Sequence, residues 1–219
     1  MADRQYTYID PKFRTRLAQI ALTGLIVLYL VQIANFIAII RTRETFFSGT
    51  VARDVALGLL KFEGGLIVAI SVPTVFLIFV EVVIFLCWLY RVSANVHADG
   101  ADVEASPAFA VGMYFIPFYN LFVPPVAMSE IARASVSPTD WREQPKWKVV
   151  PVWWLLQIIS NVMGMYVMVF EKTGGTAPNK FSQLVWTIVI GSALNIALHS
   201  SQLFLVTRVA AAQRNRAHS

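Results

Sequence analysis

Residues 85–135 read FLCWLYRVSANVHADGADVEASPAFAVGMYFIPFYNLFVPPVAMSEIARAS, and this stretch decides the fold. It leaves an apolar run at Arg91, crosses a polar turn, and returns to apolar sequence that Pro117 and Pro124 interrupt. Proline removes a backbone donor and disrupts a helix, and irregular backbone at membrane depth is tolerated only where protein or a wet cavity covers it. We therefore predict that residues 107–128 form a broken helical segment, either re-entrant or interfacial, or else a kinked fifth span.

Long uncharged runs lie on both sides of this stretch. Only 14% of the residues are charged, against about 25% in soluble domains, and the mean hydropathy is +0.60. Because roughly 20 apolar residues cross a bilayer, we predict an all-α integral membrane helical bundle. Its four transmembrane helices are expected at residues 17–40, 66–90, 151–170 and 183–206. The bundle as a whole covers residues 17–207, between an N-terminal segment at 1–16 and a basic C-terminal tail at 208–219.

The connection between the first two spans has a helical pattern of its own. Its apolar residues recur at helical spacing, which is typical of a short amphipathic helix on a membrane face, although a coiled loop fits the periodicity equally well. Gly64 and Gly65 are expected to end that helix. The apolar positions are Val51, Val55, Leu59 and Phe62.

Positive charge indicates the orientation of the spans, because cytoplasmic loops carry an excess of Lys and Arg. If residues 107–128 do not cross, twelve of these residues lie on the side of the N-terminus and six on the other. If they cross, the split is eleven to seven, with the N-terminus outside. The first arrangement gives the stronger bias, so we predict a membrane protein with a cytoplasmic N-terminus.

The part of the chain from Glu81 to about Trp154 resembles the bacterial multi-pass membrane family catalogued as domain of unknown function 4328. In that family an aromatic–Tyr/Trp–Arg segment leads to an Asn. A Ser-Pro, a Gly-aromatic-Phe-x-Pro, an Asn and a Pro follow, and then an acidic residue and a basic Trp-containing loop. The resemblance implies a location in the membrane, here expected to be the bacterial cytoplasmic membrane, and brings no known activity. The matching positions here are Trp88, Tyr90, Arg91, Asn95, Ser106, Pro107, Gly112, Pro117, Asn120, Pro124, Glu130 and Trp141.

Two ionisable residues inside predicted spans form the first candidate site. Glu81 lies ten residues before Arg91, and His199 nine before Arg208, so in the four-span arrangement the two are expected at similar depth. Ionisable groups at that depth usually face a partner or a wet cavity. The pair is predicted either to relay protons or bind a cation, or to specify helix packing as a buried hydrogen-bonded pair.

Two further clusters are candidates for binding. The first is the polar face of the broken segment, where prolines free backbone groups that can hold a ligand or that neighbouring side chains simply satisfy; its members are Arg91, Asn95, Pro117, Asn120, Pro124 and Glu130. The second is a basic, tryptophan-rich loop of the kind that contacts anionic lipid headgroups; its members are Trp141, Arg142, Lys146, Trp147 and Lys148.

The function expected from these features is not catalytic. The sequence has no Gly-rich phosphate loop, GxSxG or HExxH motif, so no enzymatic activity, cofactor or metal is expected. The leading interpretation is a scaffold or interaction module that contacts the bilayer, anionic headgroups or a membrane protein partner, which includes a second copy of the chain. The alternative is a small oligomeric transporter or channel that uses the Glu/His pair and the broken helix. The basic residues flank apolar runs, so nucleic acid is not an expected partner.

Overall fold

The computed structural model describes residues 6–175 and 180–217, and within these residues the regular structure is entirely helical. Six α-helices follow one another along the described part of the chain. Between the third and fourth lies a 3-10 turn at Met113–Phe115, and a π turn at Glu171–Gly175 follows the fifth. The helices are α1 (Lys12–Phe47), α2 (Arg53–Ala98), α3 (Pro107–Gly112), α4 (Tyr119–Ala134), α5 (Val149–Phe170) and α6 (Phe181–Ala217).

Four of these helices, α1, α2, α5 and α6, are long enough and apolar enough to cross a membrane. The predicted all-α membrane helical bundle with four such helices and a proline-broken segment is confirmed. The helices are longer than the predicted spans: α1, α2 and α6 have 36, 46 and 37 residues, against the roughly 20 that a bilayer requires. Part of the predicted N-terminal segment and most of the predicted C-terminal tail are therefore helical.

Helix α2 corrects one prediction. Gly64 and Gly65 do not end a separate amphipathic helix, because α2 runs through them without interruption from Arg53 to Ala98. A glycine inside a helix costs about 1 kcal/mol relative to alanine. In apolar surroundings a helix break would leave backbone groups without hydrogen bonds, at several kcal/mol each, so the continuous helix is the cheaper arrangement.

The break in the segment 107–128 lies at Pro117. Ser106 caps α3, since its hydroxyl accepts from the Phe109 N–H at 3.3 Å and Pro107 occupies the first turn. The chain then leaves helical geometry after the 3-10 turn, and Phe118 has a positive φ of 65° with ψ of −41°. Non-glycine residues rarely adopt this region, so Phe118 is a strained position next to the proline.

Pro124 and Pro125 do not break the segment a second time, which differs from the prediction. Both lie inside α4. Pro125 has no N–H to donate to the carbonyl of Leu121, four residues earlier. That carbonyl instead accepts a hydrogen bond of 2.7 Å from the indole Nε1 of Trp154 on α5. A side chain from the next helix thus replaces the missing backbone donor, and α4 continues.

The chain divides into two compact units. The first comprises Met1–Thr23, Val80–Leu155 and Ser200–Ser219, and the second comprises Gly24–Phe79 and Leu156–His199. The largest fully buried side chains of the first unit include Trp88, Met113, Met128, Ile131, Trp153 and Leu205. In the second unit a smaller apolar cluster is built on Phe36, Ile39 and Val185.

Candidate functional site

A buried hydrogen-bond network in the first unit is centred on Gln213 of α6, whose side chain is 0% exposed. Its Nε2 donates to the carbonyl of Val92 at 2.9 Å and to the hydroxyl of Ser135 at 3.0 Å. Its Oε1 accepts from Nδ2 of Asn95 at 2.9 Å. One carboxamide therefore joins the ends of α2, α4 and α6. We call Asn95, Ser135 and Gln213 the polar junction.

Asn95 also fastens the segment that precedes α1. Its Oδ1 accepts from the N–H of Ile9 at 3.1 Å and its Nδ2 donates to the carbonyl of the same residue at 2.9 Å. Arg91, one turn earlier, donates to the carbonyl of Thr7 at 3.2 Å. Asn95 thus bonds both to Gln213 and to the N-terminal segment, and Arg91 bonds to the N-terminal segment.

Arg216, three residues after Gln213, caps the C-terminus of α4. Its Nη1 donates to the carbonyls of Ala134 and Ser135 at 3.0 and 2.9 Å, where a cation also opposes the negative end of the helix dipole. Its Nη2 pairs with the carboxylate of Asp99. Burial raises the pKa of Asp99 above its usual range, although the guanidinium beside it acts in the opposite direction.

The remaining members of the broken-helix cluster have separate surroundings. Pro117 is exposed, Asn120 is half-buried and Pro124 is buried. Glu130 is buried near the end of α4, and its Oε2 accepts from the N–H of Glu104 at 3.1 Å. Burial raises the pKa of Glu130 above its usual range. The hydrogen bonds of Arg91, Asn95 and Glu130 therefore serve to anchor the N-terminal segment and the loop before α3.

Glu81 and His199 lie in different units, and each is engaged within its own. The Glu81 carboxylate, 6% exposed, accepts from Nε2 of Gln202 at 2.6 Å in the first unit. In the second unit, the His199 Nδ1 lies 2.7 Å from the carbonyl of Asn195, and the imidazole packs against Tyr29 at a centroid distance of 5.7 Å. The functional pairing of Glu81 with His199 stays a prediction.

The predicted lipid-contact residues divide into two groups: the buried Trp141 with the exposed Arg142 that packs on its ring, and a second group that lies at a groove. Trp141 is only 4% exposed, and its Nε1 donates to Oδ1 of Asp102 at 2.8 Å. The guanidiniums of Arg133 and Arg142 lie 4.8 and 4.5 Å from the centre of its ring. Arg142 also binds both oxygens of Asp102, and with Trp141 it holds the pKa of that carboxyl below its usual range. Trp141 therefore fastens the loop rather than presenting its ring outward.

The second group lines a groove of about 360 Å³ where α4 ends and α5 begins. Lys146, Trp147 and Lys148 come from the predicted set, and Arg133 joins them from the last turn of α4. Glu130 is the single acidic residue in the lining. We call this the basic groove. Its remaining lining residues are Ser129 and the apolar Pro125, Val126, Val150 and Pro151.

The second unit holds a polar cavity of about 300 Å³ to which all four long helices contribute. Its polar groups are carboxamides, hydroxyls and one carboxylate. The hydroxyl oxygen of Ser160 is buried and has no hydrogen-bond partner among the described residues. Within the same residues no group of three or more His, Cys, Asp or Glu side chains is placed to hold a metal. The polar lining consists of Tyr29, Gln32, Ser71, Ser160, Glu171, Ser192 and Asn195.

Four apolar helices, a proline-broken segment and internally satisfied polar clusters define an α-helical membrane protein. Residues 53–211, more than two thirds of the chain, match the family described as "Domain of unknown function (DUF4328)". The chain belongs to this family. Neither a curated protein nor a solved structure matches it.

Several residues of these sites were missed at the sequence level. Gln213 and Arg216 lie in the predicted basic tail, and Ser135 lies between the predicted broken segment and the third span. None of them was singled out, because their partners are distant in sequence. One signal was present: Gln213 and Arg216 are three residues apart, which places them on one face if the last span continues as a helix.

Proposed function

We propose that this protein is a non-enzymatic, multi-pass interaction module of the bacterial cytoplasmic membrane, whose basic groove contacts anionic lipid headgroups. The observation that carries the proposal is the groove itself. It places three cationic side chains, Arg133, Lys146 and Lys148, around one opening with a single carboxylate. A phosphate group supplies the opposite charge, and a basic residue close to an anionic leaflet contributes about 1 kcal/mol.

The rest of the lining supports a lipid rather than a soluble anion. Trp147 lies between the two lysines, and tryptophan is enriched at membrane–water interfaces because its ring is amphipathic. Val126 and Pro151 add apolar surface next to the cations. A ligand with a charged head and an apolar tail meets both parts of this surface, whereas free phosphate meets only one.

The test is the lipid that the purified full-length protein retains. After incubation with equal amounts of phosphatidylglycerol and phosphatidylcholine, native mass spectrometry is expected to show a preference for phosphatidylglycerol. Lys146→Gln with Lys148→Gln is expected to reduce that preference about 30-fold, since each lost charge removes about 1 kcal/mol. The matched control is Lys61→Gln with Lys172→Gln, which removes two exposed lysines of the second unit. Equal losses in both double variants would exclude the groove as the binding site.

We propose that the N-terminus is cytoplasmic and that residues 107–128 do not cross the bilayer. The distribution of Lys and Arg supports this orientation. In a Cys87→Ser background, single cysteines at Asp102, Ser137 and Asn215 are expected to react with an impermeant reagent only from the cytoplasmic side. Cysteines at Thr50, which is exposed in the connection between α1 and α2, and at Thr176 are expected to react only from the opposite side. Labelling of Asp102 and Ser137 from opposite sides would show instead that the broken segment is a fifth span.

A small transporter or channel is the second candidate function, and the polar cavity of the second unit favours it. Polar side chains from all four long helices converge on this cavity, and polar groups inside membrane helices often mark a substrate path. A cysteine at Ser160 in the same background distinguishes the two functions. A hydrated path would let the impermeant reagent reach position 160, whereas the interaction module predicts no reaction there.

A further inference from the structure

The second unit contains a buried carboxylate outside every site described above. Glu63 of α2 is 6% exposed. Its Oε1 accepts a hydrogen bond of 2.8 Å from the hydroxyl of Thr42 on α1. Its Oε2 is buried and has no hydrogen-bond partner among the residues that the structure describes. Half of this carboxylate is therefore left without a donor.

Asn35 on α1 has a side-chain oxygen in a similar situation. This side chain is 7% exposed, and its Nδ2 donates to the backbone carbonyl of Glu63 at 3.3 Å. Its Oδ1 is buried and likewise lacks a donor in the described part of the chain. Asn35 and Thr42 are seven residues apart, which is two turns of α1, so both lie on the face that meets Glu63.

No positive side chain compensates the charge of Glu63. Across residues 6–175 and 180–217, no Lys or Arg nitrogen lies within ion-pair distance of this carboxylate. Arg43 follows Thr42 directly, but its guanidinium lies over the ring of Phe181 at 4.1 Å from the centroid. Lys61, two residues before Glu63, is exposed.

The chemistry of these oxygens points to a cation. Carboxylate, amide carbonyl and hydroxyl oxygens are the ligands of hard metal ions, and a buried charge is retained when it is paired. One carboxylate balances one positive charge. A divalent ion beside this single carboxylate would leave a net positive charge buried, so the charge balance favours a monovalent ion.

We propose that Glu63, Asn35 and Thr42 form a binding site for one monovalent alkali cation, for which Na⁺ is the probe. The unpartnered Oε2 of Glu63 and Oδ1 of Asn35 are the protein ligands, and Thr42 orients the carboxylate through Oε1. The bound ion links α1 to α2 within the second unit. This site shares no residue with the basic groove. Cation binding is therefore tested independently of lipid binding.

The first measurement is equilibrium dialysis of the purified full-length protein in detergent with radioactive Na⁺. Wild type is expected to bind about one ion per chain, and Glu63→Gln, which keeps the size and removes the charge, is expected to abolish binding. The control is Glu44→Gln, which removes an exposed carboxylate from the same helix as Asn35 and Thr42 and is expected to bind normally. Absence of Na⁺ binding by the wild type would overturn the proposal.

Thermal unfolding gives an independent readout. At a Na⁺ concentration about thirty times the dissociation constant, the midpoint should rise by about 4–8 °C over N-methylglucamine at equal ionic strength. Glu63→Gln should lose this difference, and Glu44→Gln should keep it. If Glu63→Gln does not fold, Thr42→Val and Asn35→Ala replace it and should weaken Na⁺ binding at least tenfold. Equal midpoints in both salts, or unchanged affinity in these variants, would contradict the cation site.

Discussion

Replacing Gln213 by leucine is expected to lower the free energy of unfolding by about 3–5 kcal/mol. Leucine has a similar volume but forms none of the three hydrogen bonds of the carboxamide. The amide of Asn95 and the hydroxyl of Ser135 then remain buried with a bond missing, and an orphaned buried polar group costs about 1–3 kcal/mol. Titration of the purified protein with SDS, followed by circular dichroism, measures the change.

The matched control is Gln183→Leu on the same helix. Gln183 is exposed, and the same chemical change there is expected to alter the free energy of unfolding by less than about 0.5 kcal/mol. If the Gln213 and Gln183 variants lose equal stability, the polar junction does not hold the helix ends together. A loss confined to Gln213 would make this network a principal determinant of the stability of the first unit.

Trp154→Phe is expected to lower the free energy of unfolding by about 2–3 kcal/mol, through the smaller ring and the lost donor to Leu121. The hydrogen-bond part can be isolated with Pro125→Ala, because alanine restores a backbone N–H four residues after Leu121. In that background Trp154→Phe should cost about 1 kcal/mol less than in the wild type. The four stabilities of this double-mutant cycle are measured by the same SDS titration.

Trp153 provides the control for this cycle. It is adjacent to Trp154 and buried, but its Nε1 has no hydrogen-bond partner among the described residues. Trp153→Phe should therefore lose stability by volume alone and show no coupling to Pro125→Ala. Coupling of the same size at both tryptophans would mean that the proline change acts through repacking and not through the Leu121 carbonyl.

Local signals in the sequence were reliable where the physical cause is itself local. Uninterrupted apolar runs predicted the four long helices, and Pro117 predicted the break between α3 and α4, next to the strained Phe118. The same local argument was wrong at Gly64-Gly65 and at Pro124-Pro125. At Gly64-Gly65, α2 continues despite the low helix propensity of glycine. At Pro124-Pro125, the indole N–H of Trp154 on α5 replaces the backbone N–H that Pro125 lacks.

Candidate sites depended much more on tertiary structure. The basic loop was recognised as a charged surface, yet only the fold shows that Trp141 is buried against Asp102 and that Arg133 joins the exposed lysines. Glu63 drew no attention in the sequence, because it lies in the charged connection between the first two predicted spans, two residues after Lys61. Glu63 is significant because its carboxylate is buried and, among the described residues, has no Lys or Arg within ion-pair distance. Neither property can be recognised from the neighbouring residues in the sequence.

By itself, the sequence determined the class of the protein, its four helices that are long and apolar enough to cross a membrane, and the position of its broken segment. Hydropathy and proline act on the residues around them, so they can be recognised in a short window. Only the tertiary structure decided which polar groups meet. Asn95 finds its partners 86 residues earlier at Ile9 and 118 residues later at Gln213, and no local pattern specifies contacts over such separations. Burial then makes those contacts obligatory, because a polar group removed from water must find a hydrogen bond inside the protein.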